Sequence, residues 1–377
     1  MSSKFLRSSK EVILETAWED ISYTCGGFGN RKALMRHLVT GGSGFLGNLI
    51  AQHLVERGEE VRILDIWEDP DRPKQAQFIR CDVLDRENVA KAVKGVNVVH
   101  HTAALVPVTK AGDMFRKVNV EGTGIVAEEA ARAEVDSFIY MSSSAIYGIT
   151  KSPVDAAVTP RPAEEYGQSK LDGELKAKSI SEKTGMPLIS IRPRTIIDKG
   201  RLGIFQVLFD WIKNDINVYT LGDGKNRIQF LHAQDLINCY LLLNDLKKPG
   251  FYNVGTDRYA SLNENLGNLI KHAGSKSKVR HLPKDLAKSS LLMLDKLNLS
   301  PLAPWHYLSY GEDFFFDVNH LKELGWKPKY SNDEMLCESY DSFTANYEQS
   351  MKGKEGSAHR KPLQQKVLGL LKVISRF

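Results

Sequence analysis

His37-Leu-Val-Thr-Gly-Gly-Ser-Gly-Phe-Leu-Gly47 is the stretch on which the reading of this chain turns. A short apolar run, Leu38-Val39, leads into glycines at Gly41, Gly44 and Gly47. Leu49, Ile50, Leu54 and Val55 then recur at helical spacing. A strand, a tight turn and a helix start, in that order, form an anion site: no side chain blocks the backbone, and unpaired N–H groups point at a phosphate. A strand-like run, Val61-Arg-Ile-Leu-Asp65, follows and ends in an acidic residue placed to hold a ribose diol.

Outward from this turn, strand and helix signals alternate. Strands are predicted at 37–40, 61–65, 77–80, 96–100, 137–142 and 188–192, with helices between most of them, including 87–93 and 119–133. The pattern predicts an α/β fold, a doubly wound parallel sheet whose ligand crevice lies at the strand carboxyl ends. After Arg192 it loosens into a smaller C-terminal lobe, with helices over 204–212 and 233–243 and a strand at 218–221. A further buried strand, Phe251-Tyr-Asn-Val254, is expected to return to the sheet. The expected organisation is an extension over 1–36, a dinucleotide domain over 37–193, a substrate lobe over 194–350 and a tail over 351–377.

Composition bounds the function. With 42% hydrophobic and 26% charged residues the chain reads as an ordinary soluble protein. A net charge of +5, concentrated toward the C-terminus, does not suggest a nucleic-acid surface. The four cysteines lack metal-ligand spacing and read as reduced thiols of a cytoplasmic protein. No run is long and apolar enough to span a bilayer. Near the C-terminus, Leu363, Val367, Leu370, Leu371 and Ile374 lie at helical spacing among Lys361, Lys366, Lys372 and Arg376. Such a helix can lie on an anionic membrane surface, or dock on its own domain or a partner subunit.

The chemistry centres on Tyr166-Gly-Gln-Ser-Lys170. On a helix, positions i and i+4 share a face, so phenol and ammonium point into one space. A phenol has a pKa near 10, and a nearby cation favours the phenolate. Tyr166 can then take a proton from a substrate hydroxyl while hydride leaves the same carbon. Upstream, Tyr140-Met-Ser-Ser-Ser-Ala-Ile-Tyr-Gly148 reads as a buried strand ending in hydroxyls at the crevice edge. A serine there can hydrogen-bond the reacting oxygen. His100 and His101 end a predicted strand and read as packing groups rather than general bases. No His/Cys/Asp cluster has metal spacing.

With these motifs the chain resembles the extended short-chain dehydrogenases/reductases, in the NAD-dependent epimerase/dehydratase branch. The resemblance covers roughly 37 to 345. It rests on Thr40-Gly-Gly-Ser-Gly-Phe-Leu-Gly47, Asp65, Cys81-Asp-Val83, His101-Thr-Ala-Ala104, Asn119-Val-Glu-Gly-Thr123, Ser142-Ser143, Tyr166, Lys170 and Arg192-Pro193. It implies a Rossmann-type sheet and NAD as cofactor, with Gly41, Gly44 and Gly47 facing the pyrophosphate and Phe45 and Leu46 opening the helix. Asp65 would hold the adenosine ribose, Asp82 and Val83 would contact adenine, and Ala103 and Ala104 would line the cofactor channel. Ser143 would be the catalytic serine and Tyr166 the acid/base. Lys170 would be the tyrosine's partner and bond the nicotinamide ribose.

For the substrate, the resemblance points to Ser144, Thr195, Arg227 and His232. Sugar 4,6-dehydratases of this family carry Asp-Glu where Ser144-Ala145 stands, which argues against elimination chemistry. Nucleotide-sugar epimerases usually have asparagine near Thr195 and arginine at Ile228; Arg227 sits one place earlier. Gly222-Asp-Gly-Lys-Asn226 followed by Phe230 also resembles the 3β-hydroxysteroid dehydrogenase branch. The leading expectation is epimerisation of a nucleotide-activated sugar through a keto intermediate. The alternatives are net oxidoreduction of a sterol or lipid-like alcohol, and a non-catalytic NAD-binding scaffold. The family also implies a homodimer.

Overall fold

The computed structural model describes residues 34–106, 112–199, 201–296 and 308–352. Most of the expected extension and nearly all of the tail lie outside the described residues. Seven strands form one sheet: β1 (Arg36–Thr40), β2 (Glu60–Asp65), β3 (Gln77–Arg80), β4 (Val98–His101), β5 (Ser137–Met141), β6 (Leu188–Pro193) and a late strand, Gly250–Val254. Their spatial order is late strand, β6, β5, β4, β1, β2, β3, and every pairing is parallel. The order reverses between β1 and β4, where a doubly wound sheet opens its ligand crevice.

The strands alternate between two cores, as a period of two requires. Val39, Ile63 and Ile139 face one side, where they pack with Ile50 and Leu54 of helix α1 (Phe45–Glu56) and with Leu236 and Tyr240 of the helix Ala233–Leu246. Their neighbours Leu38, Leu64 and Phe138 face the other, against Val89 of the helix Arg86–Val93, Val126 of the helix Thr123–Arg132 and Ala177 of helix α2 (Glu165–Thr184). A third cluster draws on residues after Ile197, including Phe209, Ile212, Leu266, Met335 and Phe343. Two small parallel pairs accompany it, Thr195–Ile197 with Phe230–His232 and Val218–Leu221 with Val279–Leu282. Among the described residues, no helix is long and apolar enough to cross a membrane.

Two local features differ from the expected helix over 119–133. Helical structure begins earlier, at Met114, and passes through a π-helical turn, Lys117–Gly122. A π turn adds a residue to the helical repeat and turns a side chain off the normal face. Here the side chain of Asn119 clamps the backbone of Leu105, with its Oδ1 accepting from Leu105 N at 2.8 Å and its Nδ2 donating to Leu105 O at 3.1 Å. The same Nδ2 donates to Ser169 Oγ on α2 at 2.9 Å.

Beneath the crevice lies a buried ion pair. Arg192 of β6 donates to both carboxylate oxygens of Glu174 on α2, at 2.6 and 3.0 Å, and to Tyr147 Oη at 2.6 Å. Ser190 Oγ also donates to Glu174, at 2.7 Å. Removing one partner strands the other charge away from water. Arg192→Met is expected to lower unfolding free energy by about 3–5 kcal/mol, read by urea denaturation; a loss within experimental error would contradict this role.

Candidate active site

The chain leaves the parallel strands at the same edge, and the expected cofactor and catalytic residues lie just after strand ends or at the starts of α1 and α2. Gly41 follows β1 in a left-handed conformation (φ +68°), and its backbone lies so close to Ala103 that a Cβ would come within 2.6 Å of Ala103 Cα. A Cβ on Gly47 would meet Thr102 Oγ1 at 2.7 Å. Gly44 caps α1 without a side-chain hydrogen bond, and no acidic residue occupies the helix's first turn. The helix N-terminus thus presents unpaired N–H groups behind a turn that only glycines can make, which fits a dinucleotide pyrophosphate. Phe45 and Leu46 open the helix.

Asp65 ends β2 beside this turn. Its Oδ2 accepts from Ser43 N at 3.0 Å and its Oδ1 from Trp67 N at 3.3 Å. Burial pushes its carboxyl up, while those backbone donors oppose the rise. After β3, Asp82 is exposed and Val83 is buried against Gly122. Ala103 and Ala104 follow β4 and are half-buried.

Ser143 follows β5 and caps a short 3-10 turn, its Oγ accepting from Ala145 N at 3.2 Å. Tyr166 and Lys170 lie in the first turns of α2, whose start is fixed by Glu164: its carboxylate accepts from Tyr166 N at 2.8 Å and Gly167 N at 2.6 Å. Burial raises the Tyr166 phenol, while the hydrogen bond with Ser143 and the charge of Arg201 pull it back down. Lys170 is 3% exposed. Its Nζ donates to Met141 O at 2.6 Å and sits 4.4 Å from the centre of the Tyr140 ring. Burial pulls the ammonium down to about 7, with Glu174 opposing. The expected Lys170 charge is therefore turned toward Met141, and Arg201 supplies the cation that acts on the phenol.

The expected substrate residues separate. Ser144 is buried beside Ser143, and Thr195 follows the end of β6 at the same edge. Arg227 is half-exposed, 3.7 Å from Asp313 and stacked 4.3 Å over Phe315. His232 caps the helix Ala233–Leu246, stacks 3.7 Å on Tyr330 and lies 3.6 Å from Glu338. An open cleft of about 660 Å³ lies beside Tyr330 and Glu338; Ser143, Tyr166 and Lys170 do not line it.

Sequence reasoning passed over Arg194, Arg201 and Asn119 as site residues. Arg194 stood inside Arg192-Pro-Arg-Thr195 and Asn119 inside a quoted motif, so both were visible without a role. Arg201 lay in a stretch with no periodic signal. Among the described residues, no group of His, Cys, Asp or Glu could hold a metal ion.

Buried histidines fill the sheet behind the crevice. His37 Nδ1 and His100 Nε2 are 2.8 Å apart, and His100 Nδ1 is 2.7 Å from Tyr240 Oη. His101 bridges Thr40 and Thr123, at 2.8 and 2.9 Å. His100 and His101, the last two residues of β4, are thus held in buried hydrogen bonds behind the crevice. Burial pulls His37 down to about 4, His101 to about 3, and His100 well below its usual value. The native state keeps these rings neutral, while the unfolded chain binds protons below its pKa of about 6.5. Stability should therefore fall as pH drops from about 7 toward 5, each ring contributing about 1.4 kcal/mol per pH unit. Urea unfolding across that range checks this, and constant stability would contradict it.

For the reacting group, Tyr166→Phe should lower turnover about 10²–10⁴-fold with NAD binding retained. Arg201→Gln should move the rising limb of the pH–rate profile upward, because a cation that favours phenolate has gone. An unmoved limb would remove Arg201 from that role.

Comparison with known proteins gives the family and the fold. Residues 37–255 match the model of the NAD dependent epimerase/dehydratase family. The protein y4nG of Sinorhizobium fredii is 38% identical over 336 residues, 89% of this chain and 85% of that protein. A putative UDP-glucose 4-epimerase of Methanocaldococcus jannaschii is 28% identical over 311 residues, 78% of this chain and 93% of its own. The crystal structure of UDP-glucuronic acid 4-epimerase from Bacillus cereus with NAD shares the fold, at TM-score 0.67 and 23% identity, over 83% of this chain and 100% of that one. The chain belongs to the NAD dependent epimerase/dehydratase family, and NAD is its cofactor.

Proposed function

We propose that this enzyme epimerises a nucleotide-activated sugar, oxidising a ring hydroxyl to a ketone and reducing that ketone from its other face. The observation that carries the reading is the buried Tyr166 phenol on α2, followed one turn later by Lys170, with Ser143 and the Arg201 charge opposing the rise that burial gives the phenol. NAD, when bound, supplies the hydride acceptor and then the donor. Gly41, Gly44 and Gly47 would hold its pyrophosphate on the N-terminus of α1, Asp65 its adenosine ribose, and Lys170 its nicotinamide ribose.

The chain's own groups would handle the proton. Tyr166 Oη takes it from the substrate hydroxyl as the C–H bond breaks, and returns it when the ketone is reduced. Ser143 Oγ donates a hydrogen bond to the reacting oxygen and so stabilises the charge that develops there. Ser144 and Ala145 offer no carboxyl pair for elimination, which favours return of the hydride over loss of water. The Methanocaldococcus relative supports the sugar reading. Net oxidation of a lipid-like alcohol is the second reading, and the cationic edge formed by Arg194, Arg201 and Lys170 weighs against so apolar a substrate. The enzyme would work in the cytoplasm, where thiols such as Cys81 and Cys239 stay reduced.

Incubation of the NAD-loaded protein with a panel of UDP-sugars tests the reading. One of them should yield its epimer with no net gain of reduced nicotinamide. Stoichiometric release of reduced nicotinamide with a ketone product would establish the net dehydrogenase instead.

A further inference from the structure

Arg192 and Arg194 lie two residues apart at the end of β6, and both are buried, at 5% and 4% exposure. The fold treats them differently. Arg192 is neutralised by both oxygens of Glu174. Arg194 has no carboxylate within ion-pair distance among the described residues. Its Nε donates to Gln229 O at 3.1 Å, its Nη1 donates to Ser144 Oγ at 3.1 Å, and its guanidinium stacks 3.9 Å over the Phe314 ring. Neutral oxygens and an aromatic face satisfy part of the fork and leave the charge without a counter-ion.

A buried cation without a counter-ion is costly. Burial lowers the Arg194 guanidinium to about 9. The location gives that cost a use. Arg194 follows Pro193 at the carboxyl edge, and its hydrogen-bond partner Ser144 is the residue next to Ser143. The missing negative charge would therefore stand beside the reacting hydroxyl. One guanidinium and one hydroxyl match a single planar anion, whereas a diphosphate would need more donors.

We propose that Arg194, together with Ser144, binds a carboxylate carried by the substrate within a few bonds of the hydroxyl that Tyr166 deprotonates. The physiological substrate is then an acidic sugar or another hydroxy acid, and Arg194 discriminates against the neutral analogue. The inference rests on the oxidation site proposed above, but not on the substrate being a nucleotide sugar.

Two measurements on the full-length, NAD-loaded protein separate these layers. The first is malonate binding, followed by ligand-dependent thermal stabilisation. The wild type should be stabilised, and Arg194→Gln should need about tenfold more malonate for the same effect. Arg194→Lys, which keeps the charge but loses the planar fork, should be intermediate. The second is the ratio of kcat/KM for UDP-glucuronate over UDP-glucose. It should exceed one in the wild type and fall roughly tenfold in Arg194→Gln. If malonate binding depends on Arg194 but neither nucleotide sugar turns over, the carboxylate site stands and the sugar reading falls. Malonate binding equal in wild type and Arg194→Gln overturns the inference, as does a wild-type preference for UDP-glucose. Should the glutamine variant not fold, equal malonate binding by wild type and Arg194→Lys overturns it too.

Discussion

The parallel register of the sheet is the constraint on which everything else depends. Thr40 pairs with Leu64 and with His101, Met141 pairs with Ile191, and Pro193 pairs with Val254. The chain consequently leaves β1, β4, β5 and β6 at one level. Gly41, Thr102, Ser143 and Arg194 are neighbours because each comes just after a strand end, although more than 150 positions separate the first from the last. No local preference could assemble such a set; the ladder of inter-strand hydrogen bonds does.

A second constraint is electrostatic. Helix α2 carries Lys170 and Glu174 one turn apart, both nearly inaccessible to water. Glu174 is committed to Arg192 and Ser190, so only its longer-range field reaches Lys170. Arg201 and Arg194 add positive charge at the same edge, and among the described residues neither has a carboxylate within ion-pair distance. A site of this kind draws in negative charge and stabilises a phenolate and a developing alkoxide.

Much of this was legible in the sequence, for physical reasons. The expected strands lie within two residues of the observed ones; β4, β5 and β6 are buried at every position and read as short apolar runs, whereas β3 at the sheet edge has no fully buried residue. Gly41 and Gly47 were readable because only a residue without Cβ fits where two backbones touch. Tyr166 and Lys170 were readable because helical spacing puts them on one face. What remained hidden depended on contacts between distant segments. The π turn that aims Asn119 at Leu105 leaves no trace in periodicity. Arg192 and Arg194 look alike in the sequence, and the position of Glu174 tells them apart: it pairs with Arg192, while Arg194 has no carboxylate within ion-pair distance among the described residues. Arg227 lay close to a familiar motif position, yet its guanidinium is occupied with Asp313 and Phe315.

The central claim is that Tyr166 gates hydride transfer at this edge. Rapid mixing of NAD-loaded enzyme with UDP-glucuronate or UDP-glucose, followed by the absorbance of reduced nicotinamide, tests it most directly. The account predicts a transient rise with the accepted sugar that is lost in Tyr166→Phe. An equal rise in the variant, or none in the wild type while the sugar is still epimerised, would contradict it.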